Sequence, residues 1–568
     1  MYAKCGMLEN AQKTFDELAV QNVVSWTALI TGYAQNGSGE KALYCFEQMR
    51  RDGLSPNEST FSCILKACGA VGDFWKGCEV HVEIMKVALL ERDIVIANAL
   101  VDMYAKCGDM VKAQTVFNEL SVPDVVSWST LISGYAQHLH YEQVLCCFEQ
   151  MLQEGFAPNV VTFLRVLKAC AGEGTVHKGQ ELHSEIARTG HLQNDVMIGA
   201  ALIDMYAKCG VIARAMEIFS RIQTRGVISW NAIIAGYADQ GLDNEVLKCF
   251  ECMQTSGVCP DEVTFVYILK ACGSIKALEK GEELHDLIIR VGMLENDSFV
   301  ATALVNMYFD LGMLVEAQIV HGMSVRDEVS WNVLISGFIY HRLDDMTLQS
   351  YKQMLQEGFA PNVVTFLRVL KACAGEGTVH KGQELHSEIA RIGHLQNDVM
   401  IGASLIDMYA KCGMLENAQK TFDELAVQNV VSWTALITGY AQNGSGEKAL
   451  YCFEQMRRDG LSPNESTFSC ILKACGVVGD FWKGCEVHVE IMKVALLERD
   501  IVIANALVDM YAKCGDMVKA QTVFNELFVP DVVSWSTLIS GYAQHLQYEQ
   551  VLCCFECMKR GGGSLKIL

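Results

Sequence analysis

Residues 125–137 read VVSWSTLISGYAQ, and the chain writes nearly the same string four more times. It stands as VVSWTALITGYAQ at Val23 and Val430, as VISWNAIIAGYAD at Val227, and as VVSWSTLISGYAQ at Val532. A second string, LIDMYAKCG at Leu202 and Leu405, returns as LVDMYAKCG at Leu100 and Leu507. A third, VLKAC at Val166, returns as ILKAC at Ile64, Ile268 and Ile471. Self-similarity at a fixed short period is the mark of a stacked repeat architecture, in which each unit buries its apolar face only against its neighbours.

The units follow one another in a fixed order of lengths. Residues 125–159 make a unit of 35, residues 160–195 one of 36, and residues 196–226 one of 31. The resulting triplets occupy 23–124, 125–226, 227–327, 328–429 and 430–531, with unit 298–327 one residue short. Residues 1–22 match the back of the 31-residue type. Residues 532–562 form an incomplete 35-residue unit, and 563–568 a tail. Met1 therefore reads as lying inside a repeat, which points to an incomplete chain. No targeting peptide is visible before it.

Each unit reads as two helices. In residues 125–159, Val126, Leu131, Ile132 and Tyr135 keep helical spacing. Gln137, His138 and Leu139 interrupt it, and sister units place Gly37, Gly241 and Gly444 there, as a helix C-terminus prefers. Val144, Leu145, Phe148 and Met151 form the second stripe, ended by Gly155 and Pro158. The expected fold is all-α: a right-handed α-solenoid of helix-turn-helix repeats.

Composition excludes several classes. With 51% hydrophobic residues and only seven prolines the chain is not disordered. No stretch is long and uncharged enough to span a bilayer. The 24 cysteines fall at fixed repeat slots, such as Cys107, Cys209, Cys412 and Cys514, and read as free thiols packed between helices in a reducing compartment.

The three unit lengths, with SWxxLIxGYAQ, TFxxxLKAC and LxDMYAKCG, resemble the plant PLS class of pentatricopeptide repeat proteins over essentially the whole chain. In that class the 35-, 36- and 31-residue units are named P, L and S. The resemblance implies a binder of single-stranded RNA in mitochondria or chloroplasts, with many members specifying sites of cytidine-to-uridine editing, and about one repeat reading one base. Editing members often carry a C-terminal deaminase-like domain. This chain ends in KRGGGSLKIL without one, so a deaminase or other editing factor would be recruited in trans. The protein is expected to be monomeric, to need no cofactor or metal, and to catalyse nothing itself.

The residues add their own argument. Positions two, five and nine of each first helix share a face. Position two holds Val24, Val95, Val126, Ile228, Val329, Val431 and Val502, an apolar column able to sandwich bases. Position five holds Thr27, Asn98, Ser129, Asn231, Thr302, Asn332, Thr434 and Asn505, amides and hydroxyls able to meet a base edge. The last residues of the same units are Asn57, Asp124, Asn159, Asp261, Asp327, Asn362, Asn464 and Asp531, which also suit the cap of the next helix. Under the family's pairing rule, Thr or Ser with Asn reads A, Thr with Asp reads G, Asn with Asp reads U and Asn with Asn leans to C. The implied target is A?UA??U?GC??A?U, with the 36-residue units and Ala200/Gly226 and Ala403/Asn429 unassigned. Lys66, Lys168, Lys270, Lys371 and Lys473, with Lys106, Lys208, Lys411 and Lys513, sit where phosphates would pass. A net charge of −22, and Asp102, Asp204, Asp407 and Asp509 on the same face, predict modest, salt-sensitive affinity.

One catalytic signal invites comparison with zinc deaminases: the H-x-E pairs His81/Glu83, His183/Glu185, His386/Glu388 and His488/Glu490, with Cys249/Cys252 and Cys554/Cys557. No proline precedes either cysteine pair, and each His fills the slot of Phe148 or Phe117 in sister units, as does His285 without the Glu. A feature that recurs once per triplet is repeat architecture. Residues 1–150 and 408–557 are near-identical, as are 151–209 and 354–412, which reads as recent duplication. The competing reading is a helical scaffold for protein partners of the tetratricopeptide type, whose W-x2-L-G-x2-Y pattern and 34-residue period are absent, or a truncated, duplicated gene fragment.

Overall fold

The computed structural model describes residues 2–90, 92–189, 195–222, 225–376, 378–393, 398–493, 500–527 and 529–560. The tail at 563–568 lies outside them. Among the described residues there are 33 α-helices, one 3-10 turn at Tyr2–Cys5, and no strand. None of these helices is long and apolar enough to cross a membrane.

The stretch around Trp128 shows why the chain folds this way. The Asp124 side chain accepts from the Ser127 N–H at 2.8 Å and the Ser127 hydroxyl accepts from the Asp124 N–H, a capping box that opens the helix Val125–Gln137. The helix ends at Leu139, which takes the left-handed conformation (φ 59°) that Gly241 supplies in the sister unit (φ 68°). Tyr141–Gln153 follows, Gly155 (φ 85°) ends it, and Asn159 caps Val160–Glu173.

The structure divides into residues Met1–Gly281 and Glu282–Leu568. In the first, the helices Val23–Gln35, Glu58–Val71, Ile94–Lys106, Val125–Gln137, Val160–Glu173, Val196–Lys208, Val227–Asp239 and Glu262–Ser274 pack each on the next in one row. Each intervening helix packs between the row members before and after it. In the second, a like row runs from Ser298–Leu311 to Val532–Gln544, with its own intervening helices.

Three contacts recur along the rows. An aromatic ring of a short intervening helix meets a tryptophan edge-on, as Phe117 meets Trp128 (4.7 Å) and Phe422 meets Trp433 (4.4 Å). A tyrosine hydroxyl donates to a glutamine of the preceding helix, as Tyr135 does to Gln114 (2.9 Å). A glycine lets two row helices touch: a Cβ on Gly236 would lie 2.5 Å from that of Ala207, closer than atoms tolerate. Trp128, Leu131 and Ile132 are buried by this packing, each such side chain contributing about 1.5–3 kcal/mol.

All 24 cysteines are free, but not all are packed away: Cys5, Cys146, Cys252, Cys259, Cys553 and Cys557 are exposed. Burial raises the thiols it does enclose, as at Cys68, pushed up to about 12.

Candidate nucleic-acid interface

The N-terminal turns of the row helices bring position five of one unit against the last residue of the same unit. Both are fixed by the cap of the next helix. All eight last residues are such caps: each side-chain oxygen accepts a backbone N–H of the following helix, from Thr60 at Asn57 to Ser534 at Asp531. Capping therefore accounts for these positions structurally, and at Asn159, Asp261 and Asn362 further polar atoms of the cap also meet the position-five side chain of the same unit.

At Asn231 the arrangement is fully formed. Its amide nitrogen donates to both Asp261 oxygens (2.8 and 3.0 Å), and the Thr264 hydroxyl donates to its carbonyl (2.6 Å). Burial pushes the Asp261 carboxyl up, but hydrogen bonds from the Thr264 N–H and the Asn231 amide outweigh it and hold it below its ordinary value. Ser129 receives the Asn159 amide (2.9 Å) and meets the Thr162 hydroxyl (2.8 Å). Asn332 accepts from Thr365 (2.7 Å), which also donates to Asn362.

Elsewhere the link is indirect or incomplete. Thr27 reaches Asn57 through Thr60, and Thr434 reaches Asn464 through Thr467. Asn98 and Asn505 lie close enough to help hold the Asp124 and Asp531 carboxyls below their ordinary values, but their carbonyl oxygens have no hydrogen-bond partner among the described residues. The reason is local: Ser127 and Ser534 give their hydroxyls to their own caps, where Thr264 gives its to the asparagine as well. Asp327 caps through Ser330, and no hydrogen bond joins it to Thr302 among the described residues.

Position two lies beside this column and points outward. Val24, Val95, Val126, Ile228, Val329, Val431 and Val502 are all exposed, from 40% at Val431 to 72% at Val24. The same slot in other units carries Val161, Met197, Val263, Phe299, Val364, Met400 and Val533, which are likewise exposed. Sequence reasoning passed over these seven; applying the position-two count to every unit would have found them. Only Ser59 and Ser466 break the column, and a run of apolar residues held in water is unlike ordinary helix amphipathicity, which turns such residues inward.

The lysines divide into two sets. Lys66, Lys168, Lys270, Lys371 and Lys473 are exposed on the row helices. Lys106, Lys208, Lys411 and Lys513 are each held by an aspartate one turn earlier on their own helix: Asp102 (2.7 Å), Asp204 (2.9 Å), Asp407 (2.7 Å) and Asp509 (2.7 Å). Charge on that second set is locally neutralised, whereas in the first set Lys66, Lys168, Lys270 and Lys473 make no ion pair among the described residues and Lys371 is only near enough to Asp344 to interact with it electrostatically.

The H-x-E histidines, and His285 in the same slot, have a structural employment. His81, His183, His285, His386 and His488 each share a hydrogen bond through Nδ1 with a tyrosine of the next row helix, at 2.7–3.1 Å. Burial lowers their pKa values, so they sit neutral between helices.

Stacked helix pairs with recurring caps, glycine contacts and ring pairs define an α-helical repeat protein. The chain belongs to the pentatricopeptide repeat family. The PPR repeat family model matches residues 21–70, 123–172, 225–274 and 428–476, and the PPR repeat model matches 95–122, 201–227, 329–359, 404–430, 502–528 and 533–563. A mitochondrial pentatricopeptide repeat-containing protein of Arabidopsis thaliana is 34% identical over 95% of this chain and 70% of its own length. A chloroplastic one from the same plant is 35% identical over 83% and 76%. The crystal structure of the pentatricopeptide repeat protein PPR10 in complex with an 18-nt psaJ RNA element has the same fold, with a TM-score of 0.58 at 19% identity over 100% of this chain and 84% of that one.

Proposed function

We propose that this protein binds single-stranded RNA sequence-specifically, each P or S unit meeting one base with its position-five and last residues. The observation that carries the reading is the exposed apolar column at position two beside the polar pairs, of which Asn231/Asp261 is the most complete. Bases stacked between successive position-two side chains would present their edges to those pairs. PPR10, with the same fold, holds an 18-nt RNA element, which supports the reading by analogy.

The 35-, 36- and 31-residue order makes this a PLS-class protein in our reading. We assign its units to the triplets 23–124 through 430–531, and its role to organellar RNA processing, editing-site recognition first among the choices. A deaminase would act in trans, since the motif histidines are hydrogen-bonded to tyrosines between the repeat helices. Mitochondrial and chloroplastic relatives support an organellar site of action. Lys66, Lys168, Lys270, Lys371 and Lys473 would meet phosphates, while the lysines paired to aspartate on their own helices and the charge of −22 keep nonspecific binding low.

Selection from a random single-stranded RNA pool tests the reading. It predicts enrichment of A?UA??U?GC??A?U at the assigned positions. A pool enriched for no sequence, or retained equally by duplex RNA, would remove it.

A further inference from the structure

A cavity of about 320 Å3 opens between the helices Tyr141–Gln153, Val160–Glu173 and Val176–Thr189. Its floor is Leu145, Phe148, Val166 and Leu182, and its rim carries Glu149, Lys178, Glu181 and Glu185. Nothing in the repeat plan calls for a cavity here, and the sister unit shows what is missing.

One hundred and two residues earlier the same place is filled. There Arg50 donates to Glu79 (2.7 Å) and Glu83 (2.5 Å), with its guanidinium over the Phe46 ring (5.8 Å). The unit at 430–500 repeats this, with Arg457 on Glu486 (2.7 Å) and over Phe453 (5.7 Å). Glu181, Glu185 and Phe148 are the equivalents of Glu79, Glu83 and Phe46, and Lys178 pairs with Glu149 (2.8 Å) as Lys76 pairs with Glu47. Every wall of the arginine site is present. The arginine itself is replaced by Leu152, whose short apolar side chain cannot reach the carboxylates.

Both carboxylates also have partners at the surface. Arg188 donates to both oxygens of Glu185 (2.6 and 3.0 Å) and His177 lies by Glu181 (3.4 Å), but both of these side chains are largely exposed and neither lines the cavity. The third sister differs: at 328–398 Leu355 again replaces the arginine, yet Tyr351 replaces Phe148 and donates to Glu388 (3.0 Å), and Lys352 replaces Glu149. That site has supplied its own donor and gained a repelling charge.

We propose that the cavity beside Leu152 is a docking site for an arginine side chain of a protein partner. The planar guanidinium meets two carboxylates and an aromatic face at once, a geometry lysine does not match. An arginine on a partner segment is the kind of anchor that dominates small interfaces. No position-two or position-five residue lines the cavity, so partner and RNA need not compete.

The test titrates the full chain with a fluorescein-labelled Gly-Gly-Arg-Gly-Gly peptide, and with its lysine, citrulline and leucine counterparts, followed by anisotropy. Arginine is expected to bind at least about tenfold more tightly than the other three. Leu152→Arg, which rebuilds the Arg50 arrangement internally, should fill the site and weaken the peptide at least about tenfold while leaving RNA affinity unchanged. Glu181→Gln/Glu185→Gln should do the same without adding a side chain, and covers the case in which Leu152→Arg fails to fold. Absence of arginine-peptide binding, equal binding of the leucine peptide, or undiminished binding to a folded Leu152→Arg chain would each overturn the proposal.

Discussion

The amide of Asn231 spans both carboxylate oxygens of Asp261, 30 residues further along the chain, at 2.8 and 3.0 Å. One bond network thus joins the first helix of a unit to the cap that starts the next. The pair that we assign to base reading is also part of the joint between repeats, and the two roles can be separated by substitution.

Asp261→Asn should keep the cap, because asparagine and aspartate cap equally well, and leave stability within about 0.5 kcal/mol. Its base preference at the seventh position should move from U toward C. Asp261→Ala should lose both, costing about 1 kcal/mol as a cap and more through the orphaned Asn231 amide. Urea unfolding and competition binding on the two variants, side by side, check this.

His321 occupies the slot of Phe117 and Phe422, packs on Trp331 at 4.5 Å, is 3% exposed, and its Nε2 has no partner. Burial, aided by Arg326, pushes its pKa down to about 4. The unfolded histidine takes its proton near pH 6.5, the folded one only near 4. Stability is therefore complete above about pH 6.5 and falls as pH drops toward 4, by about 3 kcal/mol from this residue. His321→Phe should flatten that loss and raise the urea midpoint at pH 7.5. The difference between the variant and the parent at pH 7.5 and 5 isolates His321 from the other buried histidines. A parallel decline in both would refute the assignment.

The repeat order, the helix pairs and the free thiols were legible because they depend on local spacing, which a chain of near-copies displays many times. Position two was legible in seven places and overlooked in seven others, since Met197, Phe299 and Met400 look like core residues until their exposure is seen. What the sequence hid was pairing. Lys106 and Asp102 were both read as inner-face charges, but only side-chain geometry shows them neutralising each other. The Thr60 and Thr162 hydroxyls, which tie position five to the cap, were likewise invisible as partners. The Leu152 cavity opens where one arginine is missing from an otherwise copied site.

Leu139 and Arg342 adopt left-handed φ values of 59° and 58° where Gly241 and Gly444 stand in sister units. That conformation costs a non-glycine residue about 1–2 kcal/mol. Leu139→Gly should raise stability by about 1 kcal/mol, read as a higher denaturation midpoint at unchanged m-value. No gain would mean that Leu139, which is exposed, is stabilised by contacts its burial does not suggest.

The two lysine sets should respond differently to salt. Removing free Lys168 with alanine should flatten the plot of log affinity against log salt by about 0.7, for all RNA sequences alike. Lys208→Ala should change it less, because Asp204 already holds that charge. Asp204→Asn should release Lys208, steepening the plot and tightening binding. Equal slopes for Lys168→Ala and Lys208→Ala would contradict the division.

The central claim is that base choice resides in the position-five pairs. Asn231→Thr is its most direct test, read by selection from a random single-stranded RNA pool against the parent protein. With Asp261 unchanged, the seventh base should move from U toward G, the shift being worth about 1–3 kcal/mol by analogy with base discrimination in DNA readers, while every other position keeps its preference. A seventh position still reading U, or a loss of preference spread over all positions, would contradict modular reading.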